Sequence, residues 1–320
     1  MGTQVNATEK GYDPGSSMHS IYGSLESTLD YTVQIRHQTD AGGNIAYWGD
    51  SDGDGVNERN TAGGENIYVI TSHGTAARSN KTVEVEVTGT PPITVPSALY
   101  AEAPTTVHGN NTYITGTDAC GGTDKPGMVV TEGEESVVIN GAPHIAGSGG
   151  SEPDIVYNGT NMDVDSVIDY YKGFADFSYT VNSATVTGAT TPGPGDGWGN
   201  PVPGPTLQDP SSCSSSHIVN YDTDDTYVSL SEGVSGCGIL LIEGDLEIEG
   251  DFSWHGIIVV TGSVLFTGEG NRNITGGVIA GGSAVLDVTG GSTNIVHCSS
   301  AITDQTENLP LSLLSWKEDV

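Results

Sequence analysis

Apolar and polar residues alternate with a period of two in several short segments of the first hundred residues. Residues 31–38 show this pattern, and residues 81–88 show it most clearly, with three valines on one side and two glutamates on the other. Such alternation is typical of half-buried β-strands. We therefore predict a small antiparallel sheet in a first domain, residues 1–95, which ends near a pair of prolines.

A different pattern follows residue 95 and is strongest from residue 238 onward. Apolar runs aligned at Ile239, Ile257 and Val278 recur at nearly regular intervals, and glycines separate them. A repeat of roughly 20 residues, with two strands and glycine corners, predicts the stacked coils of a short Gly-rich β-helix, a solenoid that buries its apolar runs inside. A β-sandwich of three hairpins is the alternative.

The second domain, residues 96–320, is predicted to be interrupted at about residues 161–236. Residues 163–173 place four apolar side chains at helical spacing, which predicts one inserted helix. A long Pro/Gly-rich loop follows within residues 188–216. The predicted fold class is therefore mainly β, with a small N-terminal antiparallel sheet and a β-helix that carries one helix and one long loop as insertions.

The charge balance narrows the range of partners. The chain has 9 Lys+Arg against 41 Asp+Glu, a formal net charge of −32. Nucleic acid and anionic membrane surfaces are disfavoured, because both are bound through clusters of Lys and Arg. The opening residues contain no apolar core segment of a signal peptide. We expect any targeting or anchoring segment to lie upstream of residue 1.

The cysteine pattern favours disulfides over metal binding. No CxxC occurs, which argues against zinc ribbons and thioredoxin-like sites, so we predict disulfides in an oxidising compartment, with buried free thiols as the alternative. In the β-helix register Cys237 and Cys298 would lie about three coils, or ~14 Å, apart, which is too far for a bond. That distance favours Cys213 as the partner of Cys237 among the three possible pairings. The disulfide candidates are Cys120, Cys213, Cys237 and Cys298.

One acidic segment has the spacing of a calcium loop. Carboxylates at positions 1, 3 and 5 with Gly at position 6 can curl around a hard cation, and the next residue can offer its carbonyl. Position 12 is Thr61, so the closing glutamate of an EF-hand is missing. We predict a structural Ca²⁺ site, with an acidic solvated turn as the alternative. The predicted ligands are Asp50, Asp52, Asp54, Val56 and Glu58.

No catalytic motif is evident, and we predict a non-enzymatic protein. A lyase acting on acidic sugars needs cations to bind carboxylates, and the coil segments offer only Lys125 and Arg272. Two carboxylates of the acidic row at residues 243–251 could reach the separation that a glycosidase needs. Solubility of an outer face explains that row better, so a polysaccharide-active β-helix enzyme is kept as an alternative.

Four segments together resemble PilX-like proteins of type IV pilus assembly. They are SMHSIYGSL at residues 17–25, YWGDSDGDGVNERN at 47–60, CGILLIEGDLEIEG at 237–250 and NIVHCSSAI at 294–302. The resemblance implies the soluble head of a minor pilin on the bacterial surface, with a pilin-like β domain at its N-terminus. Its membrane-inserted helix, which would anchor the protein before assembly, would be absent here. The implied partners are other pilins or a pilus-tip adhesin.

Two other functions remain open. The chain could be a free secreted β-helical protein that binds or degrades carbohydrate, which a row of aromatic side chains along the coils would favour. It could also be a Ca²⁺-dependent adhesin that assembles with itself through open solenoid ends. The aromatic candidates are Tyr100, Tyr113, Tyr157 and Trp254.

Overall fold

The computed structural model shows a mainly β protein, as predicted. Its described residues fall into two compact units, drawn from residues 1–51, 57–91 and 309–320 and from residues 52–56 and 92–308. Each unit has its own β-sheet. The structure describes residues 29–76, 79–187, 197–206, 208–231, 233–287, 290–306 and 309–319.

The first unit contains a six-stranded sheet in which all the pairings are antiparallel. The strand order is β22-β5-β4-β2-β3, and β1 also pairs with β4. The antiparallel sheet expected in this part of the chain is thus present. Its strands are β1 (Leu29–His37), β2 (Tyr47–Gly49), β3 (Glu58–Asn60), β4 (Glu65–Ala76), β5 (Ser79–Thr88) and β22 (Ser312–Asp319).

The C-terminal strand belongs to this sheet and not to the second unit, where its position in the sequence had suggested it. β22 pairs with β5, so that Lys317 lies opposite Glu84. An ion pair between Lys81 and Glu318 joins the same two strands. The local pattern of a strand does not reveal a partner that lies so far away along the chain.

The second unit contains a sixteen-stranded sheet in which every pairing is parallel. We call strands β6–β21 the parallel stack. They are β6 (Leu99–Ala101), β7 (Thr105–His108), β8 (Thr112–Thr115), β9 (Met128–Val130), β10 (Val137–Asn140), β11 (His144–Ala146), β12 (Ile155–Val156), β13 (Phe177–Thr180), β14 (Ala184–Thr187), β15 (His217–Ser231), β16 (Val234–Glu249), β17 (Phe252–Val260), β18 (Val264–Thr267), β19 (Asn271–Ala280), β20 (Ala284–Leu286) and β21 (Ser292–His297).

The register of the parallel stack differs by one position from part of the alignment that the sequence suggested. Ile239 lies opposite Ile257, as predicted, but Ile257 lies opposite Gly277, and Val278 lies opposite Ile258. Both faces of β17 are buried from Ile257 to Val260. An apolar run that is buried on both faces fits its neighbour in more than one register, so hydrophobicity does not specify the register there.

Two separate stretches of chain build the parallel stack. β19 pairs with β21 along its first part and with β6 along its last part. β7 and β8 then pair with β20 and β21, and β9 to β12 add the outermost rows. Residues 99–156 therefore continue the rows that residues 177–297 begin, although they precede them in the sequence.

Glycines occupy one bend of the parallel stack in successive rows. Gly238, Gly256 and Gly276 are register partners with φ angles of 116°, 132° and 136°. Side chains are strained at such angles, and a Cβ on Gly256 would collide with the backbone of Gly238. The recurring corner glycines noted in the sequence therefore let adjacent rows approach closely.

The predicted interruption at 161–236 is smaller than expected. A helix is present, α1 (Val164–Tyr171), and its first turn is capped by Asp163, which accepts a hydrogen bond from the Ser166 amide at 2.9 Å. However, β13, β14 and β15 also lie in this range and join the parallel stack. β15 is rich in polar residues, which hid its strand pattern. A second, short helix, α2 (Ser299–Thr303), was not predicted, and two 3₁₀ turns span Glu134–Ser136 and Lys172–Phe174.

Part of the long Pro/Gly loop packs onto the parallel stack. Trp198 is 1% exposed and contacts the rings of Tyr221 and Trp254 edge-on. The Cys237 amide donates to the Trp198 carbonyl at 2.7 Å. Trp198 therefore fastens the loop to the body of the unit. Residues 188–196 of the loop lie outside the described residues.

Candidate functional site

The acidic loop predicted to bind a metal connects β2 and β3. Gly49 lies opposite Glu58 in this antiparallel pair, so the two ends of the loop are adjacent. Gly53 and Gly55 have φ angles of 84° and 89°. Glycine adopts these angles without strain, which allows the tight curl of the loop.

The loop brings its four predicted carboxylate ligands together. All four belong to one short run of sequence, so the local backbone determines their convergence. Oxygen donors are the ligands that Ca²⁺ prefers, and a divalent cation offsets the mutual repulsion of clustered carboxylates. One oxygen atom from each residue lies within 4.8 Å of the others in the set Asp50, Asp52, Asp54 and Glu58.

Hydrogen bonds within the loop orient two of these carboxylates. The Val56 amide donates to Asp54 Oδ1 at 2.8 Å, and a role of the Val56 carbonyl as a fifth ligand stays a prediction. The Ser51 amide donates to Glu58 Oε1 at 3.1 Å, and the Ser51 hydroxyl contacts the same oxygen. Thr61, at the position of the EF-hand glutamate, is exposed. The donor set therefore fits a calcium site without the bidentate closing ligand.

All four predicted cysteines form disulfides within the second unit. Cys213 pairs with Cys237, the pairing that the strand register favoured, with their Cα atoms 6.3 Å apart. Cys120 pairs with Cys298, with their Cα atoms 5.1 Å apart. The first bond ties the end of the Pro/Gly loop to β16. The second joins the two stretches of chain that build the parallel stack.

The sequence argument implied the Cys120–Cys298 pair only as the remaining one, and in the structure the pair depends on β8 stacking on β21. Thr115 lies opposite Val296 in that pairing, which brings the segments after both strands together. The two cysteines are 178 residues apart, against 24 for the other pair. In the chain-entropy model, loops of these lengths correspond to stabilisation of about 5 and about 3 kcal/mol.

A buried acid–base pair adjoins the Cys120–Cys298 bond and was not predicted from the sequence. Asp118 and His297 are 8% and 2% exposed, with Oδ2 and Nε2 3.9 Å apart. Burial lowers the pKa of His297, and the Asp118 charge only partly opposes it. Burial alone would raise the pKa of Asp118, but hydrogen bonds from Ser299 and Cys120 outweigh it and lower the pKa. The pair is thus a neutral imidazole beside a carboxylate, enclosed by the protein.

The aromatic candidates do not form one exposed row. Tyr100 and Trp254 are 0% exposed, and Tyr157 packs against the core of the second unit. Only Tyr113 stands on the outer side of the parallel stack, beside the ring of His144 at 6.1 Å between centroids. Three of the four therefore serve packing.

No protein-family model matches the chain, and a search of curated proteins returns no match. Among solved structures, the chain is similar to the crystal structure of the competence-associated pilin ComZ from Thermus thermophilus. The identity is 10% and the TM-score 0.22, over 92% of this chain and 88% of that chain. A TM-score this low carries no argument. Within the part of the chain that the structure describes, no helix is long and apolar enough to cross a membrane.

Proposed function

We propose that the chain is a non-enzymatic structural protein of the bacterial surface, acting as the head of a minor-pilin-like subunit of type IV pili. The extracellular location is supported by the two disulfides that join loops and strands of the second unit. Such bonds persist in oxidising compartments. The pilus part rests on the sequence resemblance at residues 47–60, 237–250 and 294–302. Other pilins or a tip adhesin are the proposed partners.

The parallel stack is proposed to be a short β-helix. Rows that follow one another in register support this interpretation, with Ile239 opposite Ile257 and Ile274 opposite Ile295. So do the corner glycines and the continuous apolar interior, which includes Phe252, Trp254 and Phe266. Strand rows joined by two disulfides suit a head that must stay folded outside the cell.

The native protein itself offers the test of this function. We expect mass spectrometry of a sheared-pilus fraction to recover this chain preceded by an apolar segment of about 20 residues with a methylated first residue. We also expect its intact mass to rise by about 4 Da on reduction, because two disulfides take up four hydrogens. The cytosolic fraction serves as control. A chain with free thiols in the cytosol contradicts the proposal, as does a signal-peptidase cut without filament association.

The acidic loop is proposed to hold a structural Ca²⁺. Addition of about 10 mM Ca²⁺ to EDTA-treated protein should raise the melting temperature by several degrees. Sites of extracellular modules bind with dissociation constants of about 10⁻⁴–10⁻³ M, which corresponds to about 1–3 kcal/mol of stabilisation at this concentration. Differential scanning calorimetry at constant ionic strength measures the shift.

Matched substitutions separate this site from the general acidity of the chain. Asp52→Asn and Asp54→Asn should each abolish most of the Ca²⁺-dependent shift, because each removes one of the converging carboxylates. Glu247→Gln, on β16 outside the loop, removes the same charge and should leave the shift intact. Equal shifts in all three variants mean that Ca²⁺ acts by screening alone, and the site proposal then fails.

A further inference from the structure

An open groove of about 240 Å³ lies in the second unit, between residues 201–206 and 209–211 of the Pro/Gly loop and the outer side of three stacked strands. Its floor includes Ser253 on β17, Asn273 on β19 and Asn294 on β21, which are successive register partners. Neighbouring strands are ~4.8 Å apart, so these polar side chains form a row with that spacing. We call Ser253, Asn273 and Asn294 the amide ladder.

Within the described part of the chain, the amide ladder leaves one donor and one acceptor without a partner in the protein. The Asn294 Nδ2 group donates to Asn273 Oδ1 at 2.9 Å and to Ser292 Oγ at 3.3 Å, which fixes the orientation of both amides. Among the residues that the structure describes, Asn273 Nδ2 and Asn294 Oδ1 have no hydrogen-bond partner in the protein. A sugar hydroxyl both donates and accepts, so hydroxyls of a sugar chain can satisfy each of these groups.

The opposite wall is apolar and held in place. Pro201, Pro203 and Pro205 line it and offer rigid rings against which the C–H face of a sugar can pack. The wall is anchored at Ser211, whose amide donates to Thr275 Oγ1 at 3.0 Å. A groove fixed in this way needs little ordering when a ligand binds.

The row of the amide ladder continues beyond the groove to two rings, the half-buried Tyr113 and the exposed His144. Tyr113 lies opposite Asn294, and His144 lies opposite Tyr113. The His144 side chain is 60% exposed. From Ser253 to His144 there are four steps, about 19 Å at ~4.8 Å per step. This length accommodates an oligosaccharide of several units, with aromatic rings at one end.

Charge argues for an uncharged ligand. The groove lining contains Asp209 but no Lys or Arg, and Glu152 lies 3.3 Å from His144 at the other end. With a net charge of −32, the protein repels acidic glycans and nucleic acids.

Strand pairing argues against a peptide. β19 is paired on both sides, with β17 and β21, so the floor around Asn273 has no free strand edge for a peptide backbone to extend. We propose that the amide ladder and its aromatic continuation bind a neutral oligosaccharide. This inference does not rest on the proposed pilus function.

Calorimetric titration of the full chain tests the inference with cellohexaose, maltohexaose, xylohexaose and chitohexaose as probes. At least one should bind with a dissociation constant of about 1 mM or lower. Asn273→Ala removes the free amide donor and Tyr113→Ala removes the ring, and each should weaken binding at least about fivefold. The control Asn140→Ala removes an exposed amide of β10 outside the groove and should leave the affinity unchanged.

Three results would each overturn the inference. The first is no binding of any of the four probes at several millimolar. The second is an affinity that Tyr113→Ala leaves unchanged. This variant alters an outer side chain, so it keeps the test decisive even where Asn273→Ala fails to fold. The third is tighter binding of an uncharged decapeptide of Gly, Ser, Ala and Thr than of every sugar, which would assign the groove to peptides.

Discussion

Replacement of Gly256 by alanine should destabilise the second unit by about 4 kcal/mol. The φ angle of 132° strains any side chain by about 1–3 kcal/mol. The added Cβ also collides with the Gly238 backbone, which is fixed by its own strand pairing, and overpacking of this kind costs about 1–3 kcal/mol more. Urea unfolding followed by tryptophan fluorescence measures the change, because Trp198 and Trp254 are buried in this unit.

Gly233 provides the matched control for this substitution. Its φ angle is 84°, yet a Cβ there meets nothing within 4 Å. Gly233→Ala should therefore show only the backbone strain, about 1–2 kcal/mol. Equal losses for Gly256→Ala and Gly233→Ala would mean that close approach of the rows at Gly256 has no role in stability.

Replacement of Arg272 by methionine should destabilise the second unit by about 2–4 kcal/mol. Arg272 is 0% exposed, and its guanidinium donates to Gly268 O at 2.9 Å and Gly270 O at 3.3 Å. It also contacts the carbonyls of Thr267 and Glu269, so a single side chain serves the whole turn between β18 and β19. Loss of the donors leaves several partly buried carbonyls unsatisfied, and each unsatisfied group costs about 1–3 kcal/mol.

Two further variants make the Arg272 prediction specific. Arg272→Lys should lie between wild type and Arg272→Met, because an ammonium lacks the planar fork that reaches several carbonyls. Lys172→Met removes a cation whose side chain is 36% exposed and should cost less than about 1 kcal/mol, although Lys172 pairs with Asp169 and Glu243. Comparable losses for Arg272→Met and Lys172→Met in urea unfolding would contradict the assigned role.

The candidate metal site was accessible from sequence because its geometry is local. Asp50, Asp52, Asp54 and Glu58 lie close together along the chain, and the glycines between them permit the curl. The groove was not accessible in the same way. Asn273 and Asn294 belong to different strands, and the proline wall comes from a separate loop. Of its parts, only the Pro/Gly-rich loop carried a sequence signal, whereas Tyr113, an aromatic residue near a coil, lies beyond the groove.

The buried polar groups mark another limit of the sequence. Arg272 and His297 stand in segments where apolar and polar residues alternate much as they do in the neighbouring strands. No local pattern shows whether such a side chain points into the core or out to solvent. Their burial, at 0% and 2% exposure, is decided by turns and strands that close over them. Each is tolerated because polar partners surround it, which only the folded chain provides.

Short-range patterns in the sequence establish the mainly β character, the corner glycines, the helix at residues 164–171 and the acidic loop, since each depends on residues that are close along the chain. The tertiary structure alone decides which strands become neighbours. It pairs β22 with β5, joins residues 99–156 to the rows of residues 177–297, and brings Cys120 to Cys298. These contacts link distant segments through backbone hydrogen bonds, which are the same for every residue type, and through strands that are buried on both faces. Neither feature gives the sequence a pattern that identifies the partner strand.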